Sequence, residues 1–154
     1  MMIFLDTEFT DFAVPQLISI ALVVDSGLYF YAERSDFDLA NCSDFVRAVV
    51  LPKLGRFPNR IMGADQLCEE LTVWLSQFTS RQPTIGYDFD LDWTLMVSAL
   101  KGSLPPWLLH GNIDDQIDDL HREWFFAACG LDDHHSLNDA KANRAAYRGR
   151  RGRS

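Results

Sequence analysis

Apolar residues enter this chain first as short runs and then at helical spacing. Three runs open it: Ile3 to Asp6, Leu17 to Val24 (LISIALVV) and Leu28 to Ala32 (LYFYA). A Pro15 loop separates the first two, and Asp25-Ser26-Gly27 makes a tight turn between the second and third, so the runs predict an antiparallel meander. The period then changes. Phe45, Val46, Val49 and Val50 repeat at helical spacing behind Ser43 or Asp44 as cap, and Pro52 is expected to close that helix. Leu67, Leu71, Trp74, Leu75 and Phe78 form a second stripe, begun near Gly63-Ala64-Asp65. Pro83 precedes a short strand, Thr84 to Tyr87, after which Leu91, Leu95, Met96 and Ala99 continue as a helix to Lys101-Gly102. Beyond Pro105-Pro106 the pattern gives a brief strand near Asn112-Ile113 and a helix carrying Ile117, Leu120, Trp124 and Phe125 that stops at Gly130. A last helix is expected from Ser136 to Tyr147. Strands first, then helices around a mixed sheet, predict an α/β layered domain spanning residues 1–147.

Composition narrows this picture without changing it. With 154 residues, 47% of them apolar and 23% charged, the chain fits one domain with a real core and leaves no room for wholesale disorder. No repeat or linker interrupts residues 1–147, and no apolar run approaches the roughly 20 residues of a membrane span. The opening MMIFLDTEFTDF has carboxylates at Asp6 and Glu8 and no basic stretch, so it is not expected to act as a signal peptide. Cys42, Cys68 and Cys129 share no CxxC spacing, which argues against a disulfide framework or a structural zinc site and for a cytoplasmic protein.

Charge changes the picture more. All 22 acids but only nine of the 14 basic residues lie in residues 1–143, a net of −13 there. A body this acidic lacks the basic face of a general phosphate-backbone binder. Contact with nucleic acid would need local neutralisation, for which divalent metal is the obvious candidate. The remaining basic residues gather at the end, where RGRRGRS (148–154) is expected to be a flexible basic tail.

Three places put acid where the pattern calls for apolar residues. Asp6 and Glu8, two apart on the first strand, project to the same face. Such a pair repels itself unless a cation intervenes, and oxygen donors suit magnesium or manganese. Asp88, Asp90 and Asp92 lie between the fourth strand and its helix, where Asp88 or Asp90 could equally serve as N-cap. His134, His135 and Asp139 stand at the start of the last helix. Asp65, Asp114 and Asp118 read as caps or solvated acids, and His110 and His121 as structural.

DTEF at residues 6–9, the D-x-x-x-D-W-T-L of residues 88–95 and HHSLNDAKANRAAY at residues 134–147 resemble the motifs of the DEDD superfamily of 3′–5′ exonucleases. The histidine five residues before the last acid resembles its histidine-using (DEDDh) branch, and the length is similar to that of its small stand-alone bacterial exoribonucleases. The resemblance implies a ribonuclease H-like fold, a mixed sheet with helices on both faces. It implies two divalent ions per site, Mg²⁺ or Mn²⁺, held by Asp6, Glu8, Asp92 and Asp139, with Asp6 between them and Asp88 as the alternative second-motif ligand. His134 is the implied general base, with His135 the weaker contender because it lies four residues from Asp139. Phe9 and Thr10 are placed to touch the terminal nucleotide by stacking and by backbone contact, whereas Tyr87 and Trp93 read as core before stacking residues.

The implied activity is hydrolysis of single-stranded RNA from its 3′ end to nucleoside 5′-monophosphates by a two-metal mechanism. Nothing in the motifs chooses RNA over DNA, so a DNA-directed proofreading or trimming nuclease stands as the rival. A non-catalytic nucleic-acid binding module would have lost a ligand, and here every required residue type is present. No membrane partner is expected. A homodimer is a family habit that no surface stripe in the sequence supports.

Overall fold

The run Leu17–Val24 (β2) is buried along its whole length, as a strand without polar alternation must be when both faces of its sheet are covered. In the computed structural model, which describes residues 1–149, β2 lies inside a six-stranded mixed sheet. Its neighbours are β1 (Met2–Phe9) and β3 (Tyr29–Arg34), both antiparallel to it. The two-residue β4 (Ile61–Met62), which no sequence pattern announced, pairs with β3 at one edge. On the other side β5 (Thr84–Tyr87) runs parallel to β1, and β6 (Leu109–Asn112) parallel to β5, giving the order β4-β3-β2-β1-β5-β6.

Alternation along the strands separates two layers. Ile3 and Leu5 of β1, with Leu22 and Val24 of β2, pack under α1 (Ala64–Ser76) and α2 (Asp90–Ala99) through Leu67, Leu71, Leu75, Leu95 and Met96. Ala21, Val23 and Tyr31 face the opposite way and meet Leu137 and Ala140 of α4 (Ser136–Ala146). This is an α/β protein with helices on both faces of a mixed sheet. No helix among the described residues is long and apolar enough to cross a membrane.

Several local expectations change. The helix expected at Phe45–Val50 is a π-helical turn, Val46–Val50, followed by a 3-10 turn, Leu51–Lys53, so Pro52 sits within the last turn and does not precede the stop. Ser43 is its cap, its Oγ accepting from the Val46 amide at 3.2 Å. The larger correction concerns α3 (Asp119–Cys129), which buries none of its residues. Leu120 is 78% and Trp124 61% exposed, and Ile117 lies outside the helix, bridged to Tyr147. The reverse holds for α4, a polar sequence in which Ser136, Asp139, Ala140, Ala142 and Asn143 are all buried. Small side chains let it press on the sheet, and Ser136 Oγ meets Ser19 Oγ of β2 at 2.9 Å.

Of the expected tail at 148–154, only Arg148 and Gly149 are described; the rest lies outside the described residues. Arg148 is tied down, its amide donating to Gln116 O at 2.9 Å and its guanidinium pairing with Asp118.

Candidate metal centre and active site

Parallel pairing of β1 with β5 decides where the acids meet. The register matches Met2 with Thr84 and Phe4 with Gly86, and beyond the end of that pairing the carboxylates of Asp6 and Asp88 come within 4.8 Å of each other. Gly86 itself is closely covered: a Cβ there would lie 2.8 Å from the side-chain ends Ile113 Cδ1 and Met2 Cε. Asp6 and Glu8 point from β1 to the α4 side, where the first turn of α4 delivers Asp139. Thr7, on the other face of β1, reaches Asp92 in the first turn of α2. Asp92 Oδ1 accepts from Thr7 Oγ1 at 2.6 Å and from the Thr7 amide at 3.2 Å.

Two triads of carboxylates result. One oxygen from each of Asp6, Glu8 and Asp139 lies within 4.8 Å of the others, and the same holds for Asp6, Asp88 and Asp92. Asp6 belongs to both. They line a cleft of about 720 Å³ whose walls include Phe9, Phe12, Phe45, Phe89, Arg122 and His134.

Crowding and burial put these acids under electrostatic load. Asp6 is pushed well above the usual carboxylate range, first by burial and then by Asp139, Asp92, Glu8 and Asp88. Glu8 is raised to about 8 by burial and by Asp139 and Asp92, with Lys53 acting against them. Asp92 rises to about 7 through burial, its hydrogen bond from Thr7 opposing and Asp88 adding. Asp139 reaches about 6, burial again leading and Arg122 and His134 opposing. A cluster so short of compensating charge suits a cation, and an all-oxygen donor set suits a hard divalent one.

The structure brings together Asp6, Glu8, Asp92 and Asp139, and it adds Asp88 to the same cluster. Asp90 stays out, exposed and accepting from Asn112 Nδ2 at 2.8 Å. The two histidines part company. His134 lines the cleft with a backbone φ of +53°, its ring edge-on to Phe45 at 5.0 Å and its Nε2 3.5 Å from Asp133 Oδ2. Non-glycine residues held at positive φ carry strain that concentrates at functional sites. His135 turns inward. Its ring stacks on Tyr31, with Nε2 3.2 Å from the Tyr31 hydroxyl, which donates in turn to buried Glu33 at 2.7 Å. Burial, with Arg56 and Lys53 nearby, lowers His135 to about 4 and keeps it neutral. Its amide contributes to the site by donating to Asp139 Oδ2 at 3.1 Å.

Phe9 stands at the cleft wall beside Phe12 and Phe89, with ring centroids 5.2 Å and 6.4 Å away. Thr10 does not line the cleft. Thr10 is fully buried, its amide donates to Gln16 O, its carbonyl accepts from the Ser43 amide and its Oγ1 accepts from the Gln16 amide at 3.0 Å. Its amide, carbonyl and hydroxyl thus all anchor the loop after β1. Tyr87 and Trp93 are absorbed in a stack with His110, whose ring lies 3.9 Å from that of Trp93.

Sequence reasoning missed Thr7 and Arg122. Thr7 sits inside the DTE triplet, and its role depends on a helix 85 residues away. Arg122 Nη1 reaches Asp88 Oδ2 at 3.0 Å while Nη2 lies 3.8 Å from Asp139 Oδ1. A signal for it did exist: Arg122 is the one basic residue between Lys101 and Lys141. No family model and no curated protein sequence matches this chain.

Proposed function

We propose that this protein is a metal-dependent 3′–5′ exonuclease of the histidine-using DEDD type, hydrolysing single-stranded RNA to nucleoside 5′-monophosphates. The observation that carries the reading is Asp6, shared by two carboxylate triads, Asp6–Glu8–Asp139 and Asp6–Asp88–Asp92. Three antiparallel strands followed by two parallel ones, with helices on both faces, are compatible with the ribonuclease H-like fold that the motif resemblance implies. Asp6, Glu8 and Asp139 would hold one Mg²⁺ or Mn²⁺, and Asp6 with Asp92 and Asp88 the other. Divalent ions in these positions supply stabilisation of the negative charge that builds on phosphoryl oxygens during in-line displacement.

The chain's own groups do the rest. His134, at the cleft wall, takes the proton of the attacking water on an imidazole nitrogen. Thr7 donates two hydrogen bonds to Asp92 Oδ1 and so fixes that carboxylate beside Asp6 and Asp88. Phe9, flanked by Phe12 and Phe89, offers a face on which the terminal base stacks. The acidic body gives a long phosphate backbone little to bind, which places the burden of recognition on the cleft itself.

The test is a time course on 5′-labelled single-stranded RNA and DNA with Mg²⁺ or Mn²⁺, and with excess chelator. A ladder shortening from the 3′ end, faster on RNA and abolished by chelator, is expected. Hydrolysis that persists in chelator overturns the two-metal reading, and equal or faster degradation of DNA overturns the choice of RNA.

A further inference from the structure

Arg122 is the only arginine or lysine lining the carboxylate cleft among the described residues, and it enters from α3, a helix that buries nothing. Its guanidinium spans the two triads, Nη1 on Asp88 Oδ2 at 3.0 Å and Nη2 near Asp139 Oδ1 at 3.8 Å. Asp88 is about one-seventh and Arg122 about one-quarter exposed, so the pair is shielded from water and salt. Asp88 therefore already has a cation, whereas Glu8 has only the more distant Lys53 acting on it. The triads are unequal in this respect. At Asp6–Glu8–Asp139 the one basic contact is the long 3.8 Å approach to Asp139; at Asp6–Asp88–Asp92 a divalent ion must share Asp88 with a guanidinium.

Resting on the exonuclease reading, we propose that Arg122 is a positioning residue that acts as a tethered counter-cation. It holds Asp88 and Asp139 apart and in place before the ions arrive, and it competes with the ion of the Asp6–Asp88–Asp92 triad. Binding at that triad and the Arg122–Asp88 pair oppose each other, and such coupling is reciprocal. The cleft consequently takes its ions in order, the Asp6–Glu8–Asp139 position first, and the second only as Arg122 lets go of Asp88. A guanidinium released from Asp88 stays within the cleft, with donors free for phosphate oxygens of a bound strand.

Titration of the metal-free full chain with Mn²⁺ by calorimetry tests this, comparing wild type with Arg122→Gln and Arg122→Lys. Wild type is expected to bind one ion tightly and one weakly. Arg122→Gln should tighten the weaker ion by about tenfold, a typical coupling between linked sites, and leave the tighter one within twofold. Arg122→Lys, which keeps the charge, should restore the weak binding. Because Arg122→Gln removes a counter-charge and could fail to fold without metal, the side-chain Nε–H resonance of Arg122 in wild type gives a second readout. It should shift with the second equivalent of Mg²⁺ and not with the first. Two ions bound with unchanged affinities in Arg122→Gln, or a resonance that moves with the first equivalent, overturns the role of Arg122 alone. A wild type that binds no Mn²⁺ and degrades neither RNA nor DNA overturns the exonuclease reading beneath it.

Discussion

Helices α3 and α4 follow one another in the chain, pack against each other and both send charged side chains into the cleft, yet they are opposite in construction. α3 carries Leu120, Trp124, Phe125 and Phe126 and buries none of them, while α4 has Leu137 as its one large aliphatic side chain and buries eight of its eleven residues. Side-chain size accounts for the difference. Ser136, Ala140 and Ala142 bring the α4 backbone close to β1 and β2, and a helix so seated holds Asp139 beside Asp6 and Glu8. α3 leans on α4 from outside and contributes Arg122, whose length spans the gap. Apolar pattern alone is thus a poor guide to which helix is central; the ability to approach the sheet decides it.

Substitutions in and around these helices would break or sharpen this contrast. Replacing the α4 acid has the largest effect. Asp139→Asn, like Asp6→Asn on the strand it faces, is expected to reduce hydrolysis to background while raising the melting temperature of the metal-free protein at pH 8, because a repelling charge has been removed. A variant that melts earlier than wild type in chelator would contradict the electrostatic account.

Next comes the residue pair just before α4. His134→Ala should lower the turnover rate by roughly 10²–10⁴, the contribution of a positioned base, without changing Mn²⁺ affinity. His135→Ala acts differently. It vacates the ring packed on Tyr31 and leaves the buried Tyr31 hydroxyl short of one partner, so a loss of roughly 1–3 kcal/mol in stability is expected by denaturant unfolding. Equal kinetic damage from the two variants would reopen the choice of base.

Crowding α4 should cost stability without touching chemistry directly. Ala140→Leu inserts bulk against Ala21 and Val23 and is expected to destabilise by about 1–3 kcal/mol. The matching change on α3, Leu120→Ser, should stay within about 0.5 kcal/mol.

The pH dependence of the metal-free protein follows from the raised acids. Each has a folded-state pKa above its unfolded value, so its protonated form favours folding. That contribution is complete below the ordinary carboxylate range near pH 4 and is lost as pH rises through about 6 for Asp139, 7 for Asp92 and 8 for Glu8. Melting temperature in chelator should therefore fall between pH 5 and pH 9, and Mn²⁺ should remove most of the fall. A flat profile in chelator would mean that the cluster is already neutralised.

Much of the framework was legible in the residues themselves. LISIALVV reads as a strand covered on both faces because it has no polar alternation, and Leu67, Leu71 and Leu75 mark the buried side of α1 because their spacing follows the helical turn. The pairing of Asp6 with Glu8 is equally local, since residues two apart on a strand share a face. His134 and His135 were not separable in this way: adjacent in sequence, they differ in a backbone φ of +53° at His134 that sends one ring to the cleft and the other to Tyr31.

What the sequence alone determined is therefore the set of periodic elements and the short-range geometry within each, because covalent spacing and the pleat or turn of the backbone suffice to place neighbours. Only the tertiary structure decided that Asp88 stands beside Asp6, that Thr7 steadies Asp92, that Thr10 is withdrawn into its loop and that Arg122 bridges the two triads. Those relations join residues up to 85 positions apart, from Thr7 to Asp92, and depend on strand register and on how closely small side chains let α4 meet the sheet, neither of which is written into any one segment.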